Sequence, residues 1–405
     1  MTRRITRFCG IDIGKNKHVA CVLDADGQTL ARSQSFTNDA EGYELLLQRI
    51  GTIAKPPQLL VGMEATGHYW YPLHDFLTRR GYSVAVLNPI QTAQQARKAI
   101  RKSKTDKVDA RHIAMLLKNG EHRPAHLPGE RAMTCRQLTR LDYALAKQSA
   151  RTKQLLRSRL HPVWPEFDTL FADPWCATAQ ALLRAAPTPQ DVLAAHPEEL
   201  TELLRKTSRG RVGPDRATRI LQSAAHSVGM RRGLGAARIG IRTLLDQLDA
   251  LQPVRRKLRM EIEQLAVQLP PCILTLPGTN AFRAVSLFGE VDPIDSFRTP
   301  GQLVAFAGLD PTVFQSGQFN AGRRRLSKRG SPFLRRTLWM MAAVALQSEG
   351  ELRQYYFRRR RAAQHHLAAV TAVAGKLCRI AWRIMTDRRD YVPDGRSLAT
   401  QIRES

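Results

Sequence analysis

The 405-residue chain is strongly basic, with 63 lysines and arginines against 35 aspartates and glutamates and a formal net charge of +28. This balance is unusual for a metabolic enzyme and typical of proteins that neutralise the phosphates of DNA or RNA. The positive charge is spread along the chain and accompanies no apolar anchor, which argues against a role at a membrane surface.

Length and cysteine spacing further limit the kind of protein that this chain can be. At roughly 150 residues per domain, a chain of this length is expected to contain two or three domains. The six cysteines form no C-x-x-C pair, so they indicate neither a disulfide framework nor a zinc site and fit a reducing compartment. No apolar run has the roughly 20 residues that cross a membrane, and the N-terminus lacks the apolar segment of a signal peptide. We therefore expect a soluble cytoplasmic protein.

The first third of the chain alternates strand and helix signals. The apolar patterning predicts strands over 7–14, 17–24, 29–36, 59–64 and 82–88, and helices over about 40–50 and 71–80. A further helix carries Asp106 and Asp109. Three antiparallel strands followed by alternating strands and helices is the order of an RNase-H-like domain, in which strand ends meet at one edge of the sheet.

The middle of the chain, from about 133 to 268, is predominantly helical. Its last helix carries a seam of apolar residues at heptad spacing: Leu244, Leu248, Leu251, Leu258, Ile262 and Leu265. Arg255 fills one position of this seam, and Pro253 is expected to kink or divide the helix. The seam fits a buried helix of a bundle and an intermolecular coiled coil equally well. The basic stretch 205–216 is expected to be a loop, either near nucleic acid or simply solvated.

The final third begins with the turn Pro277-Gly278 and a helix from about Ala281. This pattern is found in helix-hairpin-helix elements whose backbone N–H groups hold a DNA phosphate, although a simple turn before a helix looks the same. Residues 355–361 form a basic aromatic cluster, and residues from Asp387 onward are expected to be poorly ordered. The predicted domains are 1–132, 133–268 and 269–386, with a tail over 387–405.

Four carboxylates are candidates for a metal site. Asp12 follows a strand in "GIDIG", Glu64 closes the strand "LLVGME", and Asp106 and Asp109 share a helix face because they are three residues apart. Converging carboxylates repel unless a cation neutralises them, and Mg²⁺ prefers oxygen ligands. Two ions about 4 Å apart can hold the attacking and leaving oxygens of a phosphoryl transfer. The alternative for Asp106 is a capping box with Ser103 at the start of its helix.

Ser316 is the candidate nucleophile of the final third. It precedes Gly317 in a turn that is followed by a run of basic residues, Arg323, Arg324, Arg325, Lys328 and Arg329. A serine hydroxyl beside a bound phosphate can attack a phosphodiester covalently. The residues alone favour a Ser-Gly turn in a loop that merely binds DNA, because no neighbouring histidine or aspartate offers a base. Ser327 is interpreted as the N-cap of the helix that follows.

Seven segments in order identify a family resemblance. They are "GIDIGKNKH", "GMEATGHYWYPL", "VAVLNPIQ", "KTDKVDARHIA", "LPGTNAFRAVSLFGEV", "AGLDPTVFQSG" and "LSKRGSPFLRRTL". Together they resemble the DEDD transposases of bacterial insertion sequences, the family numbered one hundred and ten, which is related to pilin-gene invertases. The match runs from about residue 7 to residue 345, and the middle helical region contributes little to it.

The resemblance implies a fold and a function. The implied fold is α/β plus α: a RuvC-like, RNase-H-like N-terminal domain, a helical or coiled-coil middle region, and a mainly helical C-terminal transposase domain with a helix-hairpin-helix-like element. Asp12, Glu64, Asp106 and Asp109 would bind Mg²⁺, as two ions, and Ser316 would attack DNA to form a covalent phosphoserine intermediate. The alternatives are a RuvC-like nuclease that uses water and a non-enzymatic basic nucleic-acid-binding protein.

The resemblance also implies partners. They are donor and target DNA, a structured non-coding bridge RNA, and further copies of the chain in a homo-oligomer between a dimer and a tetramer, in the bacterial cytoplasm and without membrane contact. Sites that combine residues of different protomers are implied as well. The residues expected to contact nucleic acid are Lys104, Lys107, Gly278, Arg323, Arg324, Arg325, Lys328, Arg329, Arg335 and Arg336.

Overall fold

The computed structural model describes residues 5–65, 67–87, 92, 105–121, 127–311, 315–316, 319–320 and 326–393. The chain divides into two compact units, Met1–Leu127 and Pro128–Ser405. The first unit contains a mixed β-sheet covered by helices, and the second is mostly helical. The predicted mixture of an N-terminal α/β region and later helices is thereby confirmed, whereas the finer domain limits stay predictions.

A five-stranded sheet forms the centre of the first unit. Its strands are β1 (Arg7–Asp12), β2 (Lys17–Leu23), β3 (Thr29–Thr37), β4 (Leu59–Glu64) and β5 (Ser83–Leu87). Their spatial order is β3-β2-β1-β4-β5. Strands β1, β2 and β3 pair antiparallel, and β4 and β5 join β1 in parallel. All five strands predicted from the apolar patterning are confirmed.

Helices cover the two faces of this sheet. They are α1 (Ala40–Ile53), α2 (Tyr71–Arg79) and α3 (Asp106–Lys118), with a short 3-10 helix at Pro56–Gln58. Successive strand residues point to opposite faces. Cys9 and Ile11 of β1 therefore belong to the core on one side, and Gly10 faces α3 on the other.

The start of α3 differs from the alternative of a capping box between Asp106 and Ser103, a residue outside the described part of the chain. The helix begins at Asp106, and its N-cap is Thr105, whose side-chain oxygen accepts a hydrogen bond from the N–H of Val108 at 3.4 Å. The capping-box interpretation is therefore wrong. As a result Asp106 lies at the first helical position and Asp109 one turn later, where acidic side chains are favoured by the helix dipole.

Two long helices run through the second unit. They are α4 (Glu130–Leu160) and α10 (Leu234–Gln264), and between them lie α5 (Phe167–Leu170), α6 (Ala177–Ala185), α7 (Pro189–Ala194), α8 (Pro197–Thr207) and α9 (Pro214–Ala225). The interval between α8 and α9 confirms the loop predicted within 205–216.

The C-terminal part of the unit contains the remaining elements. They are α11 (Ala281–Val291), α12 (Pro300–Phe306), α13 (Pro332–Ala345), α14 (Glu351–Arg361) and α15 (His366–Asp387), with the short strands β6 (Gln315–Ser316) and β7 (Phe319–Asn320). Short 3-10 helices occur at Leu265–Gln268, Pro271–Thr275 and Ile294–Ser296. None of the helices among the described residues combines the length and the apolar character needed to cross a membrane.

Helices α4 and α10 pack against each other in antiparallel orientation. Cys135 near the start of α4 shares a core with Ile262 near the end of α10, and Leu156 at the other end of α4 shares a second core with Leu245. The leucine seam of α10 thus packs within the chain. The polar position in the seam is explained by Asp142 of α4, which is fully buried and receives hydrogen bonds from the guanidinium of Arg255 at 2.9 Å and 3.4 Å.

Two expectations for this unit need correction. Helix α10 continues through Pro253, so the expected division of the helix there is wrong, whereas a kink at Pro253 stays a prediction. Pro253 lies on the exposed side of the helix, where water can bond the carbonyl that loses its intrahelical partner. The expected disorder after Asp387 does not extend to Tyr391, whose ring packs against the C-terminal core and whose N–H donates to Thr275 Oγ1 at 2.8 Å.

Candidate catalytic site

Asp12 and Glu64 lie at the carboxyl ends of neighbouring parallel strands. In the register of β1 and β4, Gly10 is opposite Gly62 and Ile11 is opposite Met63. The two glycines face α3, and side chains two positions further along a strand point to the same face. Asp12 and Glu64 therefore end adjacent strands on the side of the sheet that α3 covers.

Close packing of α3 depends on the two glycines. A Cβ atom on Gly10 would lie 2.1 Å from the carbonyl oxygen of Ala110, and one on Gly62 would lie 2.7 Å from Cδ1 of Leu117. Only glycine permits so close an approach of a helix to a strand. Because Ala110 directly follows Asp109, this contact brings the first turns of α3 to the strand end that carries Asp12.

The four carboxylates share one electrostatic environment. Burial, together with the negative charges of Asp109, Asp106 and Glu64, raises the pKa of Asp12 from its ordinary 3.8 to about 6. Charges that are far apart would not have this effect. The other three predicted acids, Glu64, Asp106 and Asp109, therefore lie within electrostatic range of Asp12. A cluster of carboxylate oxygens is the kind of donor set that fits Mg²⁺.

The present side-chain arrangement is not that of a closed metal site. Among the residues that the structure describes, no three histidine, cysteine or acidic side chains are grouped closely enough to hold a metal ion. Oε2 of Glu64 instead accepts a hydrogen bond from Oγ1 of Thr92 at 2.5 Å. Sequence reasoning missed Thr92, because a threonine 28 residues beyond Glu64 carries no local signal. It also missed Gly10 and Gly62, although each stands two residues before a predicted acid.

Ser316 belongs to a small hairpin in the second unit. Strand β6 pairs antiparallel with β7, and Ser316 is opposite Phe319. Below these strands Pro311 forms a bridge with Leu326, and the N–H of Ser327 donates to the carbonyl of Asp310 at 2.9 Å. The backbone of Ser316 is described, whereas its side chain and the residues Arg323, Arg324 and Arg325 lie outside the described part of the chain.

The serine that caps α13 is not the one predicted. The side-chain oxygen of Ser331 accepts from the N–H of Leu334 at 3.1 Å, whereas Ser327 donates its hydroxyl to Oδ1 of Asp310. Its interpretation as the N-cap is therefore wrong. The hydroxyl of Ser331 also donates to Oε2 of Glu290 at 2.8 Å.

Glu290 links α11 to the start of α13 within the core. Its side chain is 2% exposed and receives two hydrogen bonds from the guanidinium of Arg140, at 2.7 Å and 2.9 Å. A bidentate guanidinium contact is the strongest common way to satisfy a buried carboxylate. Arg140, Glu290 and Ser331 thus connect α4, α11 and α13 beside the segment that carries Ser316.

The other predicted nucleic-acid contacts have diverse environments. Gly278 has a φ of +71°, and a Cβ there would lie 1.9 Å from the carbonyl oxygen of Met341. This glycine is therefore required by packing, whatever else it contacts. The guanidinium of Arg335 donates to the carbonyl of Ala307 at 3.0 Å.

The remaining predicted contacts are basic side chains. Arg336 is exposed and stacks over the ring of Tyr143. Lys107, Lys328 and Arg329 are exposed, and Lys104 lies outside the described residues. Their contacts with nucleic acid stay predictions.

Comparison with known proteins assigns the chain to a family. A model of DEDD transposases of the IS110 type, described as a transposase, matches residues 9–165. A second model, the transposase IS116/IS110/IS902 family, matches residues 271–357, so that the two together account for more than half of the chain. The chain belongs to this transposase family. The predicted family resemblance and the predicted transposase activity are confirmed.

Two insertion-element proteins match this chain over nearly their whole length, and a third relative matches over a shorter segment. The insertion element IS116 uncharacterized 44.8 kDa protein of Streptomyces clavuligerus is 25% identical over 97% of this chain and 98% of its own. The insertion element IS110 uncharacterized 43.6 kDa protein of Streptomyces coelicolor is 25% identical over 98% of this chain and 99% of its own. A pilin gene-inverting protein of Moraxella bovis is 32% identical over 25% of this chain and 31% of its own.

The candidate residues of this transposase fall inside the two matched segments. The first match contains Asp12, Glu64, Asp106 and Asp109, and the second contains Gly278 and Ser316. Helices α5 to α10 lie almost entirely between the matches. The two matched segments cover most of the sheet unit and most of the C-terminal helices.

Proposed function

We propose that this transposase cuts and rejoins donor and target DNA with a Mg²⁺-binding site and a serine nucleophile. The observation that carries the proposal is the position of Asp12 and Glu64 at the ends of adjacent parallel strands beside α3, where burial and then the charges of Asp109, Asp106 and Glu64 raise the pKa of Asp12 to about 6. Asp12, Glu64, Asp106 and Asp109 would hold the metal, as two ions. Ser316 would supply the nucleophile from the C-terminal hairpin.

The finer fold assignment belongs to the same proposal. A five-stranded sheet in the order β3-β2-β1-β4-β5, with the first three strands antiparallel and the last two parallel to β1, supports an RNase-H-like domain of the RuvC type. In parallel α/β sheets ligands bind at the carboxyl ends of the strands. Asp12 and Glu64 stand at that end. The helix-hairpin-helix element at Gly278 is likewise proposed.

The chemistry of each side chain indicates its role in the proposed site. When bound, Mg²⁺ neutralises the clustered carboxylates and the phosphate that they approach. Asp106 and Asp109 would help to hold the metal from the start of α3. Thr92 orients the carboxylate of Glu64 through its hydrogen bond. Lys107, exposed beside them, attracts the DNA backbone.

Ser316 performs the strand exchange. Its Oγ attacks a DNA phosphorus and forms a 5′-phosphoserine ester, the P–O3′ bond breaks, and the proton lost by the hydroxyl is balanced by the proton gained by the leaving 3′ oxygen. Attack of a new 3′ hydroxyl on this ester reverses the step and releases the serine. The ester preserves the energy of the phosphodiester, so that rejoining requires no nucleotide cofactor.

Covalent capture of DNA tests the nucleophile. Protein, Mg²⁺, end-labelled element DNA and RNA transcribed from the flank of the gene are incubated and then denatured. We expect a labelled protein–DNA adduct in the native chain and in Ser327→Ala, and none in Ser316→Ala. An adduct that persists in Ser316→Ala would falsify the assignment. Cleavage with no adduct in the native chain would instead identify a nuclease that uses water.

Substitution of one carboxylate tests the metal site. We expect Asp106→Asn to abolish cleavage and to remove the Mg²⁺-dependent increase in Tm. The matched control is Asp75→Asn, which removes an exposed carboxylate paired with Arg79 and should preserve both. Unchanged DNA handling by Asp106→Asn would favour a protein that only packages nucleic acid.

The partners of the transposase complete the proposal. Its net charge of +28 suits two polyanions, donor and target DNA on one side and a structured bridge RNA on the other. We propose a homo-oligomer, from dimer to tetramer, in the bacterial cytoplasm. Recombination of two DNA duplexes should then require the RNA, and its omission from the reaction should leave DNA bound but not exchanged.

A further inference from the structure

Helix α14 ends in four consecutive arginines that the proposed catalytic function does not use. We name Arg358, Arg359, Arg360 and Arg361 the α14 arginine cluster. All four belong to the last turn of the helix. The family match of the C-terminal part stops at residue 357, so that the cluster lies just beyond the matched segment.

The α14 arginine cluster has no acidic partner in the described chain. Elsewhere on the same helix Arg353 forms an ion pair with Glu349 at 2.8 Å. In the cluster, Nε of Arg359 donates to the hydroxyl of Tyr355 at 3.0 Å, and Nη1 of Arg360 donates to the carbonyl of Gln364 at 2.8 Å. These are neutral groups, and they leave the four positive charges uncompensated.

Stabilisation of α14 by its own helix dipole does not explain four adjacent arginines. A helix C-terminus favours cations through its dipole, but the effect is confined to the last turn and is modest at exposed positions. Neighbouring like charges repel. The crowding reaches α15, where burial lowers the pKa of Lys376 and the charge of Arg358 lowers it further, against the opposing effect of Glu351. A surface that accumulates cations in this way is suited to a polyanion.

The geometry of the cluster distinguishes between polyanions. Successive helical residues are about 100° apart around the axis, so the exposed Arg358, Arg360 and Arg361 lie at widely separated angles, while Arg359 is half-buried against Tyr355. A helix that lies along a DNA groove instead presents a stripe of residues three and four apart. The α14 arginine cluster thus fits phosphates that surround the helix end, as a folded strand provides.

Aromatic surface beside the cluster adds a second kind of contact. The ring of Phe357 is 47% exposed. The guanidinium groups of Arg358 and Arg359 lie 5.8 Å and 5.2 Å from the ring centre of Tyr355. Exposed rings and guanidinium planes are the groups on which unpaired bases stack, and unpaired bases are typical of the loops and bulges of RNA.

We propose that the end of α14, formed by the α14 arginine cluster and Phe357, binds an unpaired loop of a folded RNA. This inference rests on the proposed RNA partner and specifies where part of it is held. The arginines contact the phosphates of the loop, and Phe357 stacks on one of its bases. Duplex DNA, which offers neither surrounding phosphates nor exposed bases, binds elsewhere.

Two variants test the surface. Arg358→Ala/Arg360→Ala/Arg361→Ala removes three cluster charges and spares the hydrogen bond of Arg359 to Tyr355. Phe357→Ala removes the stacking ring. The charge-matched control is Arg79→Ala/Arg205→Ala/Arg389→Ala, whose three arginines are exposed and paired with Asp75, Glu202 and Asp387. The probes are a labelled RNA hairpin with an unpaired loop, the fully paired RNA, and duplex DNA.

The expected results follow from the two kinds of contact. Loss of three phosphate contacts to a single strand should reduce the slope of log K against log salt by roughly 2. Phe357→Ala should weaken hairpin binding roughly tenfold, the effect of one lost base stack. Both variants should leave duplex DNA binding unchanged, and the control should bind every probe as the native chain does.

Other outcomes overturn the proposal in distinguishable ways. Equal losses for hairpin and duplex DNA, or equal losses in the control, would show that only net charge matters. A native preference for the hairpin that survives both variants would refute the α14 surface and leave RNA guidance intact. No hairpin preference in the native chain would refute both. Binding of the hairpin by Ser316→Ala separates all these results from the assignment of the nucleophile.

Discussion

Substitution of Gly10 tests how the catalytic carboxylates are positioned. In Gly10→Ala the added Cβ would lie 2.1 Å from the carbonyl oxygen of Ala110 and 2.4 Å from the nitrogen of Ala114. Both are backbone atoms of α3, so no side-chain rotation can relieve the contact. Because ordinary contacts with a Cβ begin at 3.4 Å, α3 must move away from β1 by about 1 Å.

This displacement has two consequences of predictable size. Overpacking of a close contact costs about 1–3 kcal/mol of folding free energy, which lowers Tm. Asp106 and Asp109 move with α3 away from Asp12. Misplacement of catalytic groups by about 1 Å reduces rates by roughly a hundredfold. The loss of activity should therefore exceed anything that the fall in stability explains at a temperature where the variant is folded.

The assay combines single-turnover DNA cleavage with thermal unfolding. Gly51→Ala is the matched control, since a Cβ on this exposed residue of α1 meets nothing within 4 Å. Alanine there should stabilise the helix by up to about 1 kcal/mol and leave cleavage unchanged. Gly62→Ala should give an intermediate result, because its Cβ meets the flexible side chain of Leu117.

Two results would refute the reasoning. Native cleavage rates in folded Gly10→Ala would show that the contact with α3 does not position the carboxylates. Equal losses in Gly10→Ala and Gly62→Ala would show that the distinction between backbone and side-chain obstruction is irrelevant. If Gly10→Ala fails to fold, the milder Gly62→Ala carries the test, with a smaller but measurable loss of cleavage.

Three further predictions concern the carboxylates of Asp142, Glu290 and Asp12. Asp142→Asn should lower stability by about 2 kcal/mol in urea unfolding. Burial acts to raise the pKa of Asp142, but hydrogen bonds from Arg255 and Arg259 outweigh it and hold that pKa below its ordinary value. The stabilisation is therefore complete above about pH 4 and is lost as the pH falls through the depressed pKa, so an unchanged difference between native and variant in strong acid would contradict the pairing. Glu290→Gln should lower Tm, with a loss of about 2 kcal/mol, because a neutral amide cannot replace the paired charge; an unchanged Tm would exclude this role. Asp12→Asn should abolish cleavage yet raise Tm in metal-free buffer, since it removes a carboxylate repelled by its neighbours, and calorimetry that found a lower Tm would oppose that.

Local sequence patterns were sufficient to predict the strands of the sheet and to identify the four candidate carboxylates. The alternation in β1 and β4 predicts buried strands, and acids at strand ends beside helical acids three residues apart predict a common site. Both follow from short-range rules, and so the predicted strands are confirmed and the charges of Asp106 and Asp109 reach Asp12.

The same short-range rules could not decide between nearby residues that are equally suitable as the N-cap of a helix. Ser103 and Thr105 can each cap α3, and Ser327 and Ser331 can each cap α13. The choice fell to Thr105 and to Ser331, whose hydroxyl also satisfies the buried Glu290. A contact with a residue distant in sequence decides such cases, because no window of the sequence contains both partners.

The sequence by itself determined the family, the basic character, the strands and the four candidate acids, because composition, periodicity and motif spacing are properties of the chain. Only the tertiary structure decided that α10 packs on α4 within the chain, where Arg255 donates a hydrogen bond to the buried Asp142. It also decided that Gly10 permits the approach of α3 and that Thr92 holds Glu64. These outcomes depend on distances between segments far apart in sequence, and such distances are set by the packing of the whole unit.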